Sequence, residues 1–276
     1  MNVYHAVHPA QAKNFDTQQL REHFLIEDCY RPDEVCLNYT LYDRMIVGGA
    51  MPVNNLVELP NYPILKSSYF LERREMGVLN VGEVGTIEVD GSTYELDYMD
   101  LIYLPKGAEG ICFASKIAAT PAKFYILSCP AHTSHSITTQ KFADLKPMEL
   151  GASQTANERK IYKYIHLEGI KSCQLVMGLT ILSPGSIWNT MPAHTHDRRM
   201  EAYHYFNLPD DQRIFHLMGE PQEIRPLICK NASIVLSPPW SIHSGAGTTS
   251  YSFIWGMAGE NLNYADMDLV PISQLR

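Results

Sequence analysis

The chain is predicted to be mainly β, a duplicated barrel or jelly roll with short accessory helices. Three observations predict this. Short apolar or alternating runs recur along its 276 residues, divided by Gly, Pro, Asp and Asn. Asp90-Gly91 stands between Ile-Glu-Val and Ser-Thr-Tyr-Glu-Leu, a strong two-residue hairpin signal. After a Ser/Thr/Gln-rich stretch from Thr133 to Ala156 the same theme starts again. Many short strands with regular turn signals favour a sandwich or a barrel.

Taken in order, residues 1–30 hold the best helix candidate, Asp16 to Leu25. Asp16 or Thr17 serves as N-cap, and Leu20, Phe24 and Leu25 form one apolar stripe. Strands are expected at Asp43–Val47, Ser67–Phe70, Gly77–Val81, Thr86–Val89, Leu101–Leu104 and Lys123–Leu127. In the second half they are expected at Lys160–His166, Cys173–Leu182, Glu201–Phe206, Arg213–Met218, Ala232–Leu236 and Tyr251–Trp255. The expected division is 1–150, an accessory segment plus a first barrel, and 151–276, a second barrel.

Composition narrows the functions. A hydrophobic share of 45% suits a globular protein with a sizeable core, and a formal charge of −8 with a pI near 5.7 argues against a nucleic-acid or anionic-membrane surface. Any anionic substrate then needs a local basic pocket. The N-terminal stretch lacks the blocks of a signal peptide, and no apolar run approaches the ~20 residues of a membrane span, so a cytoplasmic protein is expected. The six cysteines (29, 36, 112, 129, 173, 229) form no Cys-x-x-Cys pair and fit neither a zinc finger nor a disulfide framework. No Gly-x-Gly-x-x-Gly or Gly-Lys-Ser/Thr loop is present, so neither a dinucleotide nor a phosphate loop is expected.

The chemistry concentrates in Met191–Phe206 and one later histidine. On an extended strand His194 and His196 point to the same side and can converge on one ion; on a helix they would be splayed by about 200°. Glu201 would face away on a straight strand. Asp197-Arg198-Arg199 can turn the chain, and a hairpin would bring Glu201 back beside the histidines. His243, after Pro238-Pro239, would close a set of three imidazoles and a carboxylate, the donors that bind first-row divalent metals. Eleven histidines make a chance His-x-His unsurprising, so the pair alone decides little.

The wider pattern is more specific. Gly185, the His194/His196 pair, Glu201 and the proline-rich turn before His243 match the two-part cupin signature. In the first half, Glu72-Arg73-Arg74 can be laid on Asp197-Arg198-Arg199, which sets Tyr69, Leu71 and Met76 opposite His194, His196 and Glu201. That implies a first copy without metal. Further, Tyr42–Ala50, Pro192–Glu201 and Trp255–Asn261 followed by Asp266-Met267-Asp268 resemble the 5-keto-4-deoxyuronate isomerase family over nearly the whole length.

That resemblance implies a two-cupin subunit, one zinc per chain on His194, His196, Glu201 and His243, and a homohexamer. It also implies ketol isomerisation of 5-dehydro-4-deoxy-D-glucuronate to 3-deoxy-D-glycero-2,5-hexodiulosonate in pectin breakdown. His204 stands where the family more usually has an aromatic; it lies opposite Glu201 on the strand. A carboxylate-bearing substrate is best gripped by arginine, and Arg159, Arg198, Arg199 and Arg225 are the candidates in the second half. The proton carrier is open, with bound hydroxide or a residue near Tyr251 or Trp255 as options. Competing readings are a 5-deoxy-glucuronate isomerase-like enzyme, a metal-dependent oxygenase, and a sugar-binding cupin without turnover.

Overall fold

A computed structural model describes residues 1–276. By contacts the chain forms two compact units: Met1–Val3, Asp28–Leu145 and Tyr164–Val176 make the first, and Tyr4–Glu27, Lys146–Lys163 and Met177–Arg276 the second. The division by contact is thus interleaved rather than a single cut at residue 150. Residues 4–27 belong with the second unit because they pack there. Leu25–Ile26 pairs with Val235 and Ile234, and Phe24 meets the Trp240 ring edge-on.

Each unit is a pair of antiparallel sheets, one of seven strands and one of four, built in matching order. In the first, the large sheet runs Asn2–Tyr4, Glu34–Thr40, Ile46–Met51, Phe124–Pro130, Arg74–Asn80, Leu101–Leu104, Thr138–Gln140. Its small sheet runs Val57–Glu58, Cys112–Ser115, Gly85–Val89, Ser92–Leu96. The core between them includes Ile46, Met76, Val78, Ile87, Phe113, Phe124 and Ile126. The hairpin at Asp90-Gly91 pairs Val89 with Ser92, both turn residues having positive φ (50° and 77°) as a primed two-residue turn requires.

In the second unit the large sheet runs Met148–Leu150, Arg159–Ile165, Val176–Leu182, Ser252–Gly259, Arg199–Phe206, Ile234–Ser237, Leu25–Ile26. The small one runs Trp188–Asn189, Ile242–Gly247, Ile214–Gly219, Arg225–Cys229, and a separate two-stranded ribbon joins His194–Thr195 to Asp268–Leu269. Along Arg199–Phe206, Glu201, Tyr203 and Tyr205 alternate with Ala202, His204 and Phe206, so one face carries the polar rings. Gly178 lets this sheet close: a Cβ there would lie 2.1 Å from the Trp255 ring.

The helix spans Thr17–Phe24, with Asp16 and Gln19 forming a reciprocal capping box and Leu20 and Phe24 buried. Three expectations are corrected. Ser67–Phe70 is a bend, not a strand. The strand expected at Asp43–Val47 begins at Ile46, because Asp43 and Arg44 sit in the left-handed region (φ 46° and 55°). The strand expected at Cys173–Leu182 begins at Val176, because the backbone N–H groups of Cys173, Gln174 and Leu175 donate to the Glu75 carboxylate instead of a sheet ladder. No helix is long and apolar enough to cross a membrane.

Candidate metal centre and its cavity

His194, His196, Glu201 and His243 come together in the second unit, their donor atoms all within 4.8 Å of one another. The route differs from the expected hairpin. His194–Thr195 pairs with Leu269 and Asp268, not with the strand that follows it. A tight turn, with Arg199 N–H donating to the His196 carbonyl at 3.1 Å, sends the chain into Arg199–Phe206. Glu201 thereby arrives facing His196, and His243 enters from the small sheet opposite Met218.

The hydrogen bonding fixes what this cluster can hold. His196 Nδ1 lies 2.9 Å from the Arg199 carbonyl, which only accepts, so Nδ1 carries the proton and Nε2 of a neutral ring presents a lone pair. That lone pair sits 3.0 Å from Glu201 Oε2, and His243 Nε2 lies 3.0 Å from the same oxygen and 2.9 Å from His194 Nε2. Acceptor facing acceptor at these distances requires a proton or a cation between them. Three imidazoles and a carboxylate are the donors a first-row divalent ion takes, so the residues fit a metal.

The electrostatics agree. Burial alone would raise the Glu201 pKa, but His243 and His196 hold it well below the carboxylate range. Burial disfavours a charged His196, yet the hydrogen bond and charge of Glu201 outweigh it and raise its pKa. Burial, then His243, pushes His194 down to about 3, which keeps it a neutral ligand.

A cavity of about 320 Å³ opens over the cluster. Met148, Leu150, Phe253, Met257, Met267 and Leu269 give it apolar walls; Arg159, Thr180, Thr190, Tyr203 and Tyr264 give it polar points. Of the four arginines expected to grip a carboxylate, Arg159 lines this cavity. Arg198 instead pairs with Asp266 and Asp268 at 2.7 Å each. Arg199 is fully buried and donates to the carbonyls of Asn263 (2.7 Å) and Asp266 (2.9 Å). Arg225 donates to the Phe15 and Lys13 carbonyls, away from the cluster. Trp255 lines the cavity, whereas Tyr251 accepts from Asn189 Nδ2 at 2.6 Å and does not. Sequence reasoning missed Tyr203, Tyr264 and the Met148/Leu150 wall. The one signal toward Tyr264 was its place between Asn261 and Asp266 in the C-terminal tail.

Residues 47–271 match the family described as KduI/IolB. The chain belongs to that family. Among its relatives, it is 47% identical over 276 residues to the 4-deoxy-L-threo-5-hexosulose-uronate ketol-isomerase of Shouchella clausii, with all of each chain covered. It is 50% identical over 278 residues to the protein of that name from Escherichia coli strain SE11, again across both chains. Among solved structures, an IolB-like protein from Salmonella typhimurium LT2 superposes with a TM-score of 0.69 at 13% identity, covering 90% of this chain and 96% of that one. Oxalate decarboxylase from Bacillus subtilis gives 0.54 at 12% identity, covering 83% and 72%. At those identities the likeness concerns the fold, and it is the two-barrel cupin fold.

Proposed function

We propose that this family member is a metal-dependent ketol-isomerase acting on 4-deoxy-L-threo-5-hexosulose uronate, the conversion named in its full-length relatives. The observation that carries the reading is the convergence of four metal donors at the end of a cavity that also holds one arginine. His194, His196, Glu201 and His243 hold a divalent ion, zinc by resemblance, at one per chain. Such an ion supplies Lewis acidity at a carbonyl and its neighbouring hydroxyl, where charge develops during isomerisation.

The remaining work falls to side chains. Arg159, anchored through its Nη1 to the Asn157 carbonyl at 2.8 Å, offers the rest of its guanidinium to the substrate carboxylate. The methionine and leucine side chains give the reacting carbons apolar walls. Arg198 and Arg199 serve the fold of the cavity wall rather than the substrate. The setting is polyuronate and pectin breakdown in the cytoplasm, by a homohexamer.

The test is conversion of the keto-deoxyuronate from exhaustive lyase digestion of polygalacturonate, under nitrogen and without added cofactor. The rate should equal the aerobic one, fall on chelation and return with metal. His243→Ala should lose the roughly one equivalent of metal found in the parent, and Arg159→Ala should lose about 1.5–3 kcal/mol of substrate binding. An oxygen requirement would sink the isomerase reading.

A further inference from the structure

Under the isomerase reading, on which this inference rests, one hydrogen moves between carbons and one between oxygens, and neither the metal donors nor Arg159 carry them. Among the polar groups on the cavity wall, most are engaged. Thr180 Oγ1 accepts from Trp255 Nε1 at 3.1 Å, and Thr190 Oγ1 and the Tyr203 hydroxyl bond each other at 2.9 Å. Arg159 is a fixed cation. Tyr264 is held differently, through its ring: Trp255 packs against it at 5.1 Å between centroids, and Lys163 Nζ lies 5.3 Å over it. Its hydroxyl is left for the cavity.

The backbone around Tyr264 is built to keep it there. Arg199 donates to the carbonyls on either side of it, Asn263 and Asp266, and the Asn263 side chain accepts from Ala265 N at 3.0 Å. Arg198 Nε grips both Asp266 carboxylate oxygens at 2.7 and 2.9 Å. Arg199 stands two residues before Glu201 on one strand, so a single buried guanidinium references the tyrosine to the donor cluster.

We propose that Tyr264 is a catalytic residue, its phenol passing the oxygen-bound proton between the two oxygens of the reacting ketol. The phenol O–H breaks as the carbonyl oxygen gains hydrogen, and the O–H of the neighbouring hydroxyl breaks as its proton returns to the phenolate oxygen. The hydrogen on the hydroxyl-bearing carbon moves with its C–H electron pair to the carbonyl carbon, whose C=O π pair bonds the phenol's proton, while the O–H pair left on the neighbouring oxygen becomes the new C=O bond. The phenol is regenerated, no net charge remains and no co-reactant is consumed. Burial first, then the charge of Glu201, pushes Tyr264 up to about 12 against the pull of Arg159, so it stays a neutral donor and acceptor.

The experiment compares metal-loaded wild type with Tyr264→Phe on the same uronate. Turnover should drop about 10²- to 10⁴-fold with KM within threefold. Metal content and the visible spectrum of the cobalt-substituted protein should not change. Wild type that does not turn over defeats the isomerase reading and this inference together. Active wild type with a variant within threefold of it defeats the inference alone, as does lost turnover with an altered cobalt spectrum. A second variant, fluorinated tyrosine at 264, should move the alkaline limb of the pH–rate profile to lower pH, and an unmoved limb overturns the assignment even if the phenylalanine variant does not fold.

Discussion

Each barrel buries one glutamate near the start of the fifth strand of its large sheet, and the two are held in opposite ways. In the first, Glu75 is fully buried and accepts from neutral donors alone: the Tyr103 hydroxyl at 2.8 Å, the Cys129 thiol, and the backbone N–H groups of Cys173, Gln174 and Leu175 at 2.7–2.9 Å. In the second, Glu201 faces only imidazole nitrogens. The two strands start alike, Arg74 donating to the Ser128 and Arg44 carbonyls as Arg199 does to those of Asn263 and Asp266. With the arginines aligned, Met76 occupies the place of Glu201. A carboxylate whose lone pairs are filled by N–H and O–H groups is a structural anchor. One whose neighbours are lone-pair donors demands a cation, and a shift of one residue along the strand separates the two outcomes.

The sharpest way to break this comparison is to give the second barrel the first barrel's residue. Glu201→Met should lower metal affinity and turnover by about 10³-fold or more, as loss of several kcal/mol of charge stabilisation requires. Metal analysis and initial rates check it; retained stoichiometric metal would refute the role given to the carboxylate. Next in size is Glu75→Gln, which sets an amide against N–H donors in a buried site and should cost about 2–4 kcal/mol of stability. Denaturant unfolding measures that, and the variant should keep its metal equivalent.

The smallest effect concerns pH. Burial, with His243 adding, holds His216 down to about 3, and the matching strand of the first barrel buries Ile87 and Val89, which do not titrate. Because the folded pKa lies below the unfolded one near 6.5, this stability is complete above about pH 6.5 and falls as pH drops toward 3, by at most about 1.4 kcal/mol per unit. Metal-free His216→Leu should show a flatter melting-temperature profile between pH 7 and 4 than metal-free wild type, and parallel profiles would refute it.

The four donors were legible because His-x-His on extended chain, a carboxylate after a turn and a histidine after paired prolines are local patterns. The Arg74/Arg199 match was legible for the same reason, as a short motif repeated at one strand start. What could not be read was which partner each group meets. Arg198 and Arg199 look like substrate grips in sequence, but Asp266, Asp268 and two backbone carbonyls claim them through long-range contacts. The pairing of His194 with Leu269 escaped notice because a two-residue strand leaves almost no periodicity to detect. Ser67–Phe70 failed for the reverse reason: its β-forming side chains lie where the backbone turns.

The interleaving of the two units limits how this protein can be taken apart. The barrel that carries the His194/His196/Glu201/His243 cluster draws on Tyr4–Glu27, Lys146–Lys163 and Met177–Arg276, so no single cut releases it whole. Its Leu25–Ile26 strand waits on a nascent chain for Ile234 and Val235, made long afterward, which burdens folding with a distant ring closure. Anyone transplanting the centre into another scaffold must splice three segments, or redesign the edge that Leu25 and Ile26 cover.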